Sequence, residues 1–176
     1  LENREVTKRI FPRILDAVEA VNADQKRVLF EKIKRHYGGK LRGKVFALWG
    51  LAFKPQTDDM REAPALTIIA LLLKAGARVQ AYDPVALPSA RKLFGARIRL
   101  CTSEYSVLKG ADALVLVTEW NEFRTPDFAR IARMLRRPVI FDGRNQYEPE
   151  EMRARGFTYY SIGRRAVLPA SAHRAR

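Results

Sequence analysis

The sequence predicts an α/β fold: a Rossmann-like, doubly wound parallel sheet of about six strands, preceded by a long helix. Three observations predict it. From Lys44 to Tyr160, short apolar runs alternate with amphipathic stretches, the pattern of strand–helix–strand crossovers. Gly76, Gly110 and Gly156 close three of the helical stretches, as helix stops do. Before the alternation, a single long stretch carries helical periodicity and ends at Gly38-Gly39.

Residues 1–12 lack clear periodicity and contain Pro12, so they are expected to be a disordered lead-in. Residues 13–37 read as one helix, because Ile14, Leu15, Val18, Val21, Val28, Leu29 and Ile33 recur at helical spacing. Asn22 and Asp24 interrupt the pattern, as a bend or second start would. Lys32, Lys34, Arg35 and His36 suit its last turn. Strands are expected near 44–49, 78–82, 97–101, 113–117, 138–141 and 157–160. Helices are expected near 62–75, 86–94, 103–109, 126–135 and 148–155. The domain thus spans 40–165 behind a helix over 13–39, and residues 166–176 read as a disordered tail.

The chain has 176 residues, 47% of them hydrophobic, which suits one domain with a substantial core. No apolar run approaches the roughly 20 residues that cross a bilayer, and the start shows no signal-peptide pattern. Cys101 is the one cysteine, so no intrachain disulfide forms and a cytoplasmic location is expected. The net charge of +14 raises the question of nucleic acid. The basic residues are spread along the chain without zinc spacing, a helix-turn-helix pattern or an aromatic RNA-binding motif, which argues against it. Such a field still attracts a small anion.

The ligand crevice of such a sheet opens beyond the carboxyl ends of its first and fourth strands. After the first strand comes Gly50-Leu51-Ala52-Phe53-Lys54-Pro55-Gln56-Thr57-Asp58-Asp59-Met60-Arg61-Glu62-Ala63-Pro64. It places two cations beside an expected helix opening, where Asp58 and Asp59 precede Glu62, a natural anion site. No Gly-x-Gly-x-x-Gly follows the strand, which argues against a dinucleotide pyrophosphate on this helix. Phe53 and Lys54 offer a flat apolar face and a point charge to one ligand, or are a core phenylalanine beside a solvated lysine. Arg61 either reaches a ligand or pairs with Asp58, Asp59 or Glu62. Arg144, aimed by the turn at Gly143, clamps an oxyanion or a hydroxyl pair, or is held by Asp142. Asp83 reads as a turn or cap residue, and Cys101 as a packing residue. His36 and His173 have no catalytic partner, and no metal-ligand cluster is visible.

Four segments in order carry a family resemblance. They are Gly50–Pro64, Ala81-Tyr82-Asp83-Pro84, Ala111–Trp120 and Phe141-Asp142-Gly143-Arg144-Asn145. From about Leu15 to Arg164 the chain resembles the C-terminal UDP-binding domain, with part of the central helix, of the UDP-glucose 6-dehydrogenases. These are members of the UDP-glucose/GDP-mannose dehydrogenase family. The resemblance implies oxidation of UDP-glucose to UDP-glucuronate with NAD, in polysaccharide biosynthesis. Phe53, Lys54 and Arg144 would contact the UDP-sugar, and Arg61 the NAD bound chiefly by a separate N-terminal domain. Residues 13–37 would form a homodimer contact. GDP-mannose or an N-acetylated UDP-sugar is the alternative substrate, and a stand-alone binding module the alternative role. The family's nucleophilic cysteine sits among glycines, a proline and a lysine that Cys101 lacks, so this chain alone is expected to be inactive.

Overall fold

Helix α1 runs from Glu2 to His36. In this computed structural model, residues 2–169 are described, with side chains from Leu15 onward. Residues 2–12, expected as a disordered lead-in, therefore continue the helix. Pro12 forfeits a single helical hydrogen bond without ending it. Leu1 and 170–176, the greater part of the expected disordered tail including His173, lie outside the described residues.

Strand β1 is Val45–Trp49, β2 is Arg78–Tyr82, β3 is Arg99–Leu100 and β4 is Ala113–Leu116. Val139–Asp142 forms β5 and Thr158–Ser161 forms β6. All pair in parallel, in the order β3-β2-β1-β4-β5-β6. The connecting helices are α2 (Pro64–Lys74), α3 (Leu87–Phe94), α4 (Phe128–Met134) and α5 (Pro149–Ala154). The predicted doubly wound sheet of six strands is present, and its direction of winding reverses between β1 and β4.

Two cores follow from the two faces of the sheet. On one, Phe46 and Leu48 of β1 pack with Ile68, Ile69 and Leu72 of α2 and with Ala90 and Phe94 of α3. On the other, Ala47 and Trp49 pack with Phe128 and Ile131 of α4 and Met152 of α5. The crossovers α4 and α5 leave the first face of β4–β6 uncovered, and α1 covers it. Leu29, Phe30 and Ile33 are buried there. His36 meets Phe141 and Tyr160 edge-on, and those two rings stack at 4.9 Å. The long helix is thus part of the core along its second half.

Three local expectations change. Residues 103–109 form no α-helix but a 3-10 turn over Ser106–Leu108. Ser103 and Ser106 bond each other's backbone N–H, a local pairing that competes with helix. Helix α2 opens at Pro64, with Ala63 as N-cap and no acid in its first turn. Glu62 stops the helix from starting earlier, because its φ is +58°. The tail does not begin free at residue 166: Val167 pairs with Tyr159 through N–H···O bonds of 3.0 and 2.9 Å.

Candidate functional site

A cleft of about 1170 Å³ opens at the carboxyl ends of the strands. One wall is α1, through Asp16, Glu19, Asn22 and Lys26. The other is made by Phe53, Thr67, Val117, Gly143, Arg144 and Ile162. Segments following β1, β4, β5 and β6 therefore converge on one space, as the winding of the sheet requires.

The first loop is built by backbone constraint. Gly50 has φ +90°, and a Cβ there would lie 2.4 Å from Thr118 Cβ, so only glycine lets the chain turn this close. Beyond it, Leu51 and Ala52 donate their N–H groups to Asp83 Oδ2, at 2.7 and 3.1 Å. Phe53 N donates to Asp59 O at 2.8 Å, closing the loop, and Met60 anchors it in the core. Phe53 is left 43% exposed on the cleft wall. The Lys54 ammonium stands 5.5 Å from the Phe53 ring centroid, a cation over an aromatic face. Both halves of the expected pair are therefore presented outward, and the reading of Phe53 as a core residue falls.

Arg61 stands apart from this wall. Its side chain is 90% exposed and is clamped by Asp59, through Nε at 3.0 Å and Nη2 at 2.8 Å. The Arg61 hydrogen bond draws the Asp59 carboxyl down to about 2. Arg61 lies two residues before the helix cap, Ala63, rather than in the helix. Glu62 reaches back instead to Lys26 of α1, at 2.5 Å. That hydrogen bond lowers the Glu62 pKa and ties the loop to the opposite wall.

Arg144 follows β5. Asp142 holds it by the backbone, accepting the Arg144 N–H at 2.8 Å. The alternative reading, in which Asp142 pairs with the guanidinium, does not hold. Glu119 supplies the carboxylate instead, accepting from Nε and, at 2.6 Å, from Nη2. This pairing lowers the Glu119 pKa. Gly143 allows a close approach: a Cβ there would sit 3.0 Å from Leu116 O and 3.1 Å from Leu29 Cδ2, so those neighbours would have to shift.

Asp83 and Asp142 are the residues whose weight the sequence understated. Both are fully buried, Asp83 just past β2 and Asp142 at the end of β5. Asp83 accepts from Leu51, Ala52, Val85, Ala86 and the Trp120 indole. Asp142 accepts from Arg144, Gln146, Tyr147 and the Tyr159 hydroxyl. The available signal was an acid placed directly after an apolar strand. Cys101 is buried, and burial raises its thiol pKa, which disfavours the nucleophilic thiolate.

Residues 47–149 match the UDP-binding domain of the UDP-glucose/GDP-mannose dehydrogenase family. The chain belongs to this family. The UDP-glucose 6-dehydrogenase of Pseudomonas aeruginosa is 50% identical over 157 residues, covering 86% of this chain and 35% of that protein. That of Rhizobium meliloti is 43% identical, over 86% and 35%. The UDP-glucose dehydrogenase structure from Pyrobaculum islandicum aligns at a TM-score of 0.68 and 32% identity, over 77% of this chain and 30% of that one. Shikimate dehydrogenase from Aquifex aeolicus shares the fold at a TM-score of 0.55 and 15% identity, over 78% and 49%. The chain spans about a third of the length of the curated relatives it matches.

The family is one of dehydrogenases, yet the β1–α2 crossing does not fit a dinucleotide. Gly50 is followed by Leu51 and Ala52, whose N–H groups are taken by Asp83. Asp83, where a ribose-binding acid would stand, spends both oxygens on the protein. Among the described residues, no group of acidic, histidine or cysteine side chains could hold a metal, and no helix is long and apolar enough to cross a membrane.

Proposed function

We propose that this chain is the nucleotide-sugar-binding part of an NAD-dependent UDP-glucose 6-dehydrogenase, and that the cleft holds the UDP-sugar. One observation carries this reading: Phe53 and Arg144, far apart in sequence, line the same cleft at the strand ends. Phe53 offers the ligand an apolar face, while Lys54, beside the Phe53 ring, and Arg144 offer positive charge and N–H donors to phosphate or hydroxyl oxygens. In this reading exposed Arg61 meets NAD carried by another domain. The hydride chemistry belongs to that cofactor; these residues bind and orient the sugar nucleotide.

The test is titration of the isotope-labelled chain with UDP-glucose, followed by NMR. Affinity is expected to be poor, roughly 0.1–1 mM, or about 4–5.5 kcal/mol. Arg144→Ala should weaken it by about 1–3 kcal/mol, and Lys92→Ala, exposed on α3, should leave it unchanged. Shifts confined to residues away from 50–61 and 142–145 would remove the site from this cleft. Parallel titration with GDP-mannose and an N-acetylated UDP-sugar tests the choice of nucleotide.

A further inference from the structure

The tripeptide Thr118-Glu119-Trp120, just past β4, sends each of its side chains to a different segment of the site. Thr118 Oγ1 donates to Ala52 O at 2.6 Å, in the loop after β1. Trp120 Nε1 donates to Asp83 Oδ2 at 3.2 Å, at the end of β2. Glu119 takes the guanidinium of Arg144, after β5. Strand β4 lies between β1 and β5, so a residue just beyond its end reaches loops on both sides.

From this arrangement we infer that Glu119 is the positioning residue of the cleft, holding the Arg144 fork in the orientation that meets the ligand. The inference rests on the nucleotide reading above. A guanidinium carries N–H donors along more than one edge. Glu119 engages Nε and Nη2, which leaves both N–H groups of Nη1 for a ligand oxygen. The Asp142 bond to the Arg144 backbone fixes the root of the side chain, and Glu119 fixes its head. A fork fixed at both ends loses little freedom when a diphosphate or ribose oxygen docks. Glu119 also offsets the arginine's charge, so the site gains direction more than raw anion attraction.

The Arg144 Nε–H resonance, assigned by its loss in Arg144→Ala, tests this without ligand. It should be protected from exchange in the full chain and in Glu119→Gln, and lost in Glu119→Ala. On titration with UDP, Glu119→Ala should weaken binding roughly tenfold and Glu119→Gln roughly threefold. In the Arg144→Ala background, Glu119→Ala should change binding by less than about twofold. An unaltered Nε–H signal in Glu119→Ala overturns the inference, as does equal weakening in both backgrounds. Tighter UDP binding by Glu119→Ala overturns it too, because Glu119 would then be a competitor for the fork. If UDP shifts nothing in the unaltered chain while the Nε–H signal still depends on Glu119, the nucleotide reading falls, and with it the ligand half of this inference.

Discussion

Two aspartates show how position sets the worth of a residue. Asp83 is buried and accepts from four backbone N–H groups and an indole. Asp59 is held at the surface by Arg61 alone among side chains. Asp83→Asn puts an amide NH2 against donors and leaves buried N–H groups unpaired, so it should lower stability by about 2–4 kcal/mol. Asp59→Asn, at an exposed and solvent-screened pair, should leave it almost unchanged. Gly50→Ala adds a Cβ 2.4 Å from Thr118 Cβ at φ +90° and should destabilise by about 2–4 kcal/mol. Urea denaturation of the three variants checks the order, and near-equal midpoints for the two aspartate variants would contradict it.

Helix α1 works in two halves. Its second half closes the sheet with Leu29, Phe30 and Ile33. Its first half leaves Leu15, Val18 and Val21 at 56%, 50% and 58% exposure. The apolar stripe read from the sequence included Ile33, which the sheet buries completely, and Val28, which is half-buried. Self-association through α1 is therefore predicted to use Leu15, Val18 and Val21. Light scattering should show a dimer that Val18→Asp with Val21→Asp disperses; a monomer at high concentration would refute the contact. At the other end of α1, burial lowers the His36 pKa, helped by Arg137 and Lys44. The unfolded chain then takes up a proton first as pH falls through about 6.5. Stability is full above that pH and is lost as pH falls toward the lowered folded value. The Tm should decline from pH 7.5 to 5.5, and His36→Gln should flatten that decline. The paired Glu62 and Glu119, with lowered pKa values, add their own loss only further toward acid.

For the whole molecule, charge and completeness decide. A net charge of +14 draws an anionic nucleotide toward the cleft, so UDP binding should weaken as salt rises from 50 to 500 mM, a range in which the Debye length falls from roughly 14 to 4 Å. Salt-dependent retention of duplex DNA, with no change in Tm on adding UDP-glucose, would favour a nucleic-acid surface instead. The 176-residue chain by itself should form no NADH from UDP-glucose and NAD, because its cysteine is buried with a raised pKa and its β1–α2 crossing does not fit the cofactor. Turnover by a rigorously pure preparation would refute this.

The sequence by itself determined the sheet, its strands and the loops that carry Phe53 and Arg144. Apolar periodicity and glycine stops act within a few residues, and parallel crossovers leave one sense of winding. It did not reveal that residues 2–12 are helical, because a proline reads as a break while costing one hydrogen bond. It could not choose the partner of Arg144 between Asp142, two residues away, and Glu119, 25 residues away. Nor could it show Lys26 and Glu62, 36 residues apart, joining the two walls. Those choices depend on which strands end side by side, and only the assembled sheet brings Thr118 to Ala52 and Glu119 to Arg144.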